Sequence, residues 1–366
     1  MAPFWKNFNL GFFKSLGSND GYVALDIGSS SIKLVESVVD RNGYLVVKLA
    51  SAPLPENAIQ NNMVVDTKSV AEAIRALIRE SGVSAKNVIS AVPGRAVIMK
   101  KVQMPVQEQA ELEANIEFEA QNVIPENLEN VNLDYQILSK TEDGNKMDVL
   151  LVAVKKEIVN SYTDAIEEAG LEPAVMHVDY FALENMFETN YAAETTRGMV
   201  GLIHIGAQNT SISLLQNGVS IFTGDLSFGG AYFSESLAAQ ANLSLAAAEN
   251  FKMTGRSEEA QGLDLAALVR PTAEELAEEI RRTVSLYGAV ASEEGDGLKL
   301  IYLSDGGAKL TGLRTVIEER LGVPARLSEP FRSFTVSKNI EREFLLEGAP
   351  SFAVAAGLSI RRPGDR

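Results

Sequence analysis

Two short runs of small residues carry the types and spacing best suited to chemistry, and the chemistry they suit is phosphate binding. Gly28-Ser29-Ser30-Ser31 follows the apolar run Val23 to Ile27, and Gly206-Ala207-Gln208-Asn209-Thr210 follows Val200 to Ile205. Glycine with small hydroxylated neighbours lets backbone N–H groups approach an anion closely, as a phosphate-cradling turn requires. Both runs sit in one local plan of apolar strand, small-residue turn, second strand, Asn-Gly and third strand. The first copy spans Tyr22 to Leu49 with Asn42-Gly43, and the second spans Met199 to Leu226 with Asn217-Gly218. Asn-Gly between apolar runs marks a two-residue hairpin, because primed turns need positive φ. Taken singly, either small-residue turn reads as an ordinary hairpin. Their duplication favours a pair that clamps one polyphosphate from both sides.

The surrounding residues resemble the actin, Hsp70 and sugar-kinase superfamily. Asp26-Ile27-Gly28-Ser29-Ser30-Ser31-Ile32-Lys33 is similar to its first phosphate motif, the second strand triple to its second phosphate motif, and Ile301 to Leu310, IYLSDGGAKL, to its adenosine motif. Val92-Pro93-Gly94, Gln103-Met104-Pro105 and Glu119-Ala120-Gln121-Asn122-Val123-Ile124-Pro125 narrow the resemblance to the PilM family, actin-like proteins of type IV pilus assembly. It runs from Gly21 to Arg361 in matching order.

The resemblance implies ATP and Mg²⁺. Asp26 matches the carboxylate that holds the metal's waters; Ser29, Ser30 and the Gly28 backbone match the phosphate contacts, and Lys33 the partner of the β phosphate. Gly206 and Ala207 match the second turn, Gly229 and Gly230 the turn beneath the phosphates, and Glu249 and Lys252 the pair reaching ribose and adenine. Gly306, Gly307 and Lys309 match the adenosine loop. By residue type alone, Asp26 reads also as an Asx cap and Lys33 as a solvated hairpin lysine. Two positions depart from the family pattern: His204 stands where many relatives have Asp, and Asp305 where Gly is common. A neutral imidazole adds no negative charge beside hydrated Mg²⁺. The expectation is ATP binding with weak or absent hydrolysis, with Asp26 and His204 near the metal and the γ phosphate. The other reading of His204 is a buried histidine bonded to backbone, with no ligand role.

The family resemblance further implies a cytoplasmic scaffold, peripheral at the inner membrane. Its partner would be the N-terminal cytoplasmic peptide of the inner-membrane protein PilN, captured by backbone pairing or apolar pockets. The pilus motor ATPases and other inner-membrane platform proteins would be further partners, and self-association stays open. Two other classes compete. A small-molecule kinase of the same superfamily needs a carboxylate base, and no matching Asp follows Gly206. An FtsA-like filament-forming membrane anchor would carry a C-terminal amphipathic helix, for which the tail from Arg361 to Arg366 is too short.

Composition narrows the field. Among 366 residues, 33 Lys and Arg face 49 Asp and Glu, a net charge of −16 that opposes a nucleic-acid surface. There is no cysteine, and His177 and His204 are the two histidines, so thiolate chemistry and histidine-rich metal sites are excluded. No apolar run approaches the roughly 18 residues that span a bilayer. In the N-terminal extension 1–20, Phe4, Phe8 and Phe12 recur at helical spacing beside Trp5, Phe13, Lys6 and Lys14. This reads as an amphipathic helix that touches a membrane or partner, or as a flexible tail.

Strands alternating with helices in two similar halves predict an α/β, duplicated actin-like (ribonuclease H-like) two-lobe fold. The first lobe is expected at 21–180, with an inserted small α/β subdomain at about 88–138 like the one PilM shares with FtsA, and the second at 181–366. Helices are expected over 67–81, over 108–123 with Leu112, Ile116, Ala120 and Val123 inward, and over 272–290 with Thr272 as N-cap and Glu275 closing a capping box. Ala349 to Leu358, APSFAVAAGL, predicts a small-residue helix suited to close packing.

Overall fold

Both copies of the strand triple form antiparallel meanders, in a computed structural model that describes residues 21–41, 43–140, 144–194, 198–291 and 297–365. The aromatic leader over 1–20 and Asn42 lie outside the described residues. In the first copy, β1 (Tyr22–Ile27), β2 (Ser31–Asp40) and β3 (Gly43–Pro53) pair in sequence order. Short β4 (Ile59–Gln60) and β5 (Met63–Val64) lead to α1 (Thr67–Ser81), where Asp66 accepts the Ser69 N–H and Gly82 closes the helix at φ 65°. Next come β6 (Asn87–Val92), β7 (Val97–Pro105), α2 (Gln109–Val123), β8 (Val131–Lys140), β9 (Lys146–Lys155), α3 (Lys156–Glu168), β10 (Glu172–Val178) and α4 (Asp179–Asn190). The second copy is β11 (Met199–Ile205), β12 (Thr210–Gln216) and β13 (Val219–Leu226), and its turn places Asn217 and Gly218 at φ 49° and 80°. The chain continues through α5 (Gly230–Ala241), α6 (Leu245–Thr254), α7 (Leu265–Ala291), β14 (Leu298–Ser304), α8 (Leu313–Leu321), β15 (Ala325–Leu327), β16 (Thr335–Val336), α9 (Arg342–Gly348) and α10 (Ala353–Ser359).

These elements divide into two units, one holding the chain up to Asn185 with Thr335–Ser337 and Val354–Arg366, the other Met186–Phe334 and Lys338–Ala353. The first unit has a six-stranded sheet ordered β10-β6-β1-β2-β3-β16 and a separate three-stranded sheet ordered β7-β9-β8; the second has a five-stranded sheet ordered β13-β12-β11-β14-β15. Two expected boundaries move. All six residues of β6 are buried, which suits an interior strand covered on both faces, and it lies between β10 and β1 of the large sheet. The small sheet instead takes β9 as its middle strand, so the inserted layer runs over 97–155 rather than 88–138. Its core joins Leu112, Ile116 and Ala120 of α2 to Met104, Met147, Val149 and Leu151. The expected second lobe at 181–366 also loses its last residues, because 354–366 returns to the first unit.

A third difference concerns the expected helix over 272–290. α7 starts at Leu265 and carries Pro271 inside it, so Thr272 is not its N-cap. Asp264 fills that role, accepting the Ala266 and Ala267 N–H groups at 2.9 and 3.3 Å. Leu265, Val269, Ala273, Leu276, Ala277 and Ile280 make one continuous apolar stripe in the second unit's core, and that burial carries the helix through the proline. Thr272 and Glu275 turn to α5 instead, where Thr272 bonds the Ser236 hydroxyl at 2.7 Å and Glu275 accepts the Tyr232 hydroxyl at 3.2 Å. Among the described residues, no helix is long and apolar enough to cross a membrane.

Candidate functional site

In the first unit, the chain reverses between β1 and β2 through Gly28, Ser29 and Ser30. The strand register sets Asp26 opposite Lys33, and their side chains form an ion pair at 3.6 Å, 14% and 7% exposed respectively. Lys33 is thus a buried base of the turn and not a solvated hairpin lysine. Gly28 donates its N–H to the Ser31 carbonyl at 3.1 Å, and the Ser30 carbonyl accepts the Leu54 N–H at 2.9 Å. A Cβ on Gly28 would stand 3.2 Å from the Ser31 oxygen and 3.4 Å from Lys33 Nζ, so glycine keeps both the turn and the lysine in place.

The second unit builds its turn more elaborately. Gly206 donates to Asn209 O at 2.9 Å, while Gly230 and Ala231, at the start of α5, donate to the Gly206 and Ala207 carbonyls at 2.8 and 2.7 Å. A Cβ on Gly229 would fall 2.5 to 2.7 Å from backbone atoms of Ala207, Gln208 and Asn209, so glycine alone fits there. Lys252 of α6 donates to Gly230 O at 2.9 Å, to Ser234 Oγ at 2.8 Å and to Glu249 Oε2 at 2.6 Å. Ser234 also donates to the Glu249 carboxylate. The expected pair Glu249 and Lys252 is therefore gathered at the Gly229-Gly230 turn, with Ser234 as a third member that residue patterns did not single out.

β14 lies parallel to β11 and sets Ser304 beside His204. His204 Nδ1 is 3.0 Å from Ser304 Oγ and its Nε2 is 3.4 Å from Asp305 Oδ2, so it engages side chains and not the backbone. Asp305 adopts φ 68°, a left-handed conformation that Asp tolerates better than most residues, and its N–H donates to Pro350 O at 2.7 Å. The same Asp305 oxygen lies 3.5 Å from where a Gly206 Cβ would be. Gly307 packs against Ile205, whose Cγ2 and carbonyl would meet a Cβ at 2.4 and 2.7 Å. Gly306, at φ −60°, faces open space, with no atom within 4 Å of its Cβ position. Lys309 Nζ donates to Glu347 O at 3.2 Å.

The family of type IV pilus assembly protein PilM matches residues 24–363. The chain belongs to the PilM family. A solved PilM-PilN type IV pilus biogenesis complex contains a chain 30% identical to it, with TM-score 0.81 over 94% of this chain and 99% of that one. MreB 5 of Spiroplasma citri, 10% identical over 94% of this chain and 96% of its own, superimposes with TM-score 0.51 and shares the fold. The ethanolamine utilization protein EutJ of Salmonella typhimurium is 26% identical over 165 residues, 43% of this chain and 48% of EutJ. The match thus spans about half the length of these curated relatives. The expected actin-like fold is borne out.

For this PilM family member the motif Val92-Pro93-Gly94 has a structural origin. Gly94 donates its N–H to Asp179 at 2.7 Å, and a Cβ there would strike the Tyr180 ring at 2.3 Å. A further polar group lies near the first turn. Tyr162 of α3 is fully buried, its hydroxyl has no hydrogen-bond partner among the described residues, and burial, then Asp179, then Asp26 push its pKa up. A hydroxyl raised chiefly by burial stays a neutral donor there. No residue pattern marked it, because a helical tyrosine on an apolar stripe reads as core.

Proposed function

We propose that this chain is a cytoplasmic scaffold of type IV pilus assembly, peripheral at the inner membrane, that binds the N-terminal cytoplasmic peptide of a PilN-type inner-membrane protein and links that platform to the pilus motor ATPases. The observation that carries this reading is the near-complete superposition on the chain of the PilM-PilN complex. Titrating a fluorescently labelled PilN N-terminal peptide into the full chain tests it, and saturable binding of stated stoichiometry is expected. Absence of binding both with and without ATP and Mg²⁺ would remove the adaptor role.

The same reading includes a magnesium-bound ATP. In the first unit Asp26 would hold the metal's waters, and Lys33 with the Gly28 to Ser30 turn would meet phosphate oxygens; in the second unit Gly206 and Ala207, bonded to Gly230 and Ala231 at the start of α5, form a turn of the same kind. Open space at Gly306 supports close approach of a nucleoside there. MreB 5, which has this fold, is solved bound to AMPPNP. Mg²⁺ would neutralise phosphate charge on binding. Lys252 and Glu249 bond each other and the Gly230 turn, which supports a role in holding that turn as well as any contact to ribose.

A further inference from the structure

We propose that Asp305, held by His204, supplies the carboxylate of the second turn and receives the hydrated divalent cation that a nucleoside triphosphate carries. This rests on the nucleotide reading above. The two positions at which the sequence differs from the motifs it resembles, His204 and Asp305, are brought together by the fold. Because His204 is in register with Ser304, the next residue reaches the start of the second turn. There Asp305 Oδ2 lies 3.4 Å from His204 Nε2 and 3.5 Å from the Gly206 Cβ position. The two departures offset each other: the charge missing from β11 is delivered from the end of β14.

The conformation of Asp305 points the same way. At φ 68° a residue with a Cβ is held in a region that glycine enters freely, and a residue kept there is a sign of function when its side chain has one to perform. The backbone is pinned by the Asp305 N–H bond to Pro350 O at 2.7 Å, so the carboxylate is aimed by the main chain. His204 Nε2 faces Asp305 Oδ2 at 3.4 Å while its Nδ1 lies 3.0 Å from the Ser304 hydroxyl. That fixes the ring and makes His204 a positioning residue. The Asp305 side chain is 11% exposed.

Calorimetric titration of the full chain with ATP, once with Mg²⁺ and once in EDTA, and electron paramagnetic resonance with Mn²⁺ in place of Mg²⁺, test the assignment. Asp305→Asn keeps a side chain that tolerates positive φ, and its melting curve shows whether the fold is kept. It is expected to lower Mg²⁺-ATP affinity about tenfold or more while leaving affinity in EDTA unchanged. His204→Asp alone should give no gain, because a carboxylate already serves the turn. His204→Asp with Asp305→Gly, which restores the family pattern, should recover the metal-linked affinity and the Mn²⁺ spectrum. If the parent chain binds ATP and Asp305→Asn binds it equally well in both conditions, the assignment of Asp305 is overturned and nucleotide binding stands. If the parent chain binds no ATP in either condition, both readings fall.

Discussion

Gly306 and Gly307 are adjacent and glycine for different reasons. Gly307 has no room for a Cβ, which would sit 2.4 Å from the Ile205 side chain and 2.7 Å from its carbonyl, whereas Gly306 is at φ −60° with nothing within 4 Å. Gly307→Ala should therefore destabilise the chain by about 1–3 kcal/mol, as overpacking against backbone does. Gly306→Ala should leave stability within about 0.5 kcal/mol and, on the nucleotide reading proposed above, weaken ATP binding, because no described residue stands within 4 Å of its Cβ position. Urea melts and ATP titrations of the two variants separate these outcomes, and a Gly306→Ala chain that binds ATP as the parent does would remove the nucleoside from that position. Residue types made both glycines visible but not their difference. Lys33 was legible only in part: its charge suggested solvent, and it is the strand register opposite Asp26 that buries it. His204 read as a loss of charge because the residue that restores the carboxylate is about 100 positions later, a distance set by β11 pairing with β14.

At the scale of elements, β10 is an edge strand of the large sheet, paired on one side with β6, yet it carries a fully buried histidine. His177 Nδ1 accepts the Val178 N–H at 2.8 Å, and its Nε2 has no hydrogen-bond partner among the described residues. Burial first, and Arg361 second, hold its pKa well below 6.5. The unfolded chain therefore binds a proton that the folded chain refuses as pH falls below 6.5, so stability is full above that value and is lost on the acid side. The stability difference between parent and His177→Phe should be flat above that point and tilt against the parent below it, by up to about 1.4 kcal/mol per pH unit. A difference that stays constant from about pH 8 to about pH 5 would show that His177 titrates alike in both states. Local signals found α1, α2 and both meanders, because each has its own spacing or turn residues. They misplaced the start of α7 because Thr272 and Glu275 have the spacing of a capping box while Asp264, before the proline, does the capping. Only the neighbouring helix α5 explains where those two side chains go.

At the scale of the molecule, the duplicated plan was legible because each copy repeats its own turns, but the return of the last residues to the first unit was not, since no local signal names a distant partner. Three contacts make that return structural. Gly357 of α10 crosses α4 so closely that a Cβ would come 1.7 Å from Ala182 O. Ser37 donates to Ser359 O at 2.8 Å, and Arg362 donates to Ser37 O at 3.2 Å. Val354, Ala355, Ala356 and Leu358 are all buried. A chain ending at Ala353 would thus leave an open groove along β2 and α4, with the apolar surface of several core residues returned to water. Loss of more than about 3 kcal/mol is expected from the missing core alone. Hydrogen exchange on the truncated chain should show protection falling in β1, β2 and β6 while β11, β12 and β14 keep theirs, and a synthetic peptide covering 349–366 should restore the first unit in trans. Parent-like protection throughout the first unit of the truncated chain would mean that its sheet closes without its C-terminal segment, and that residues 354–366 only rest on it.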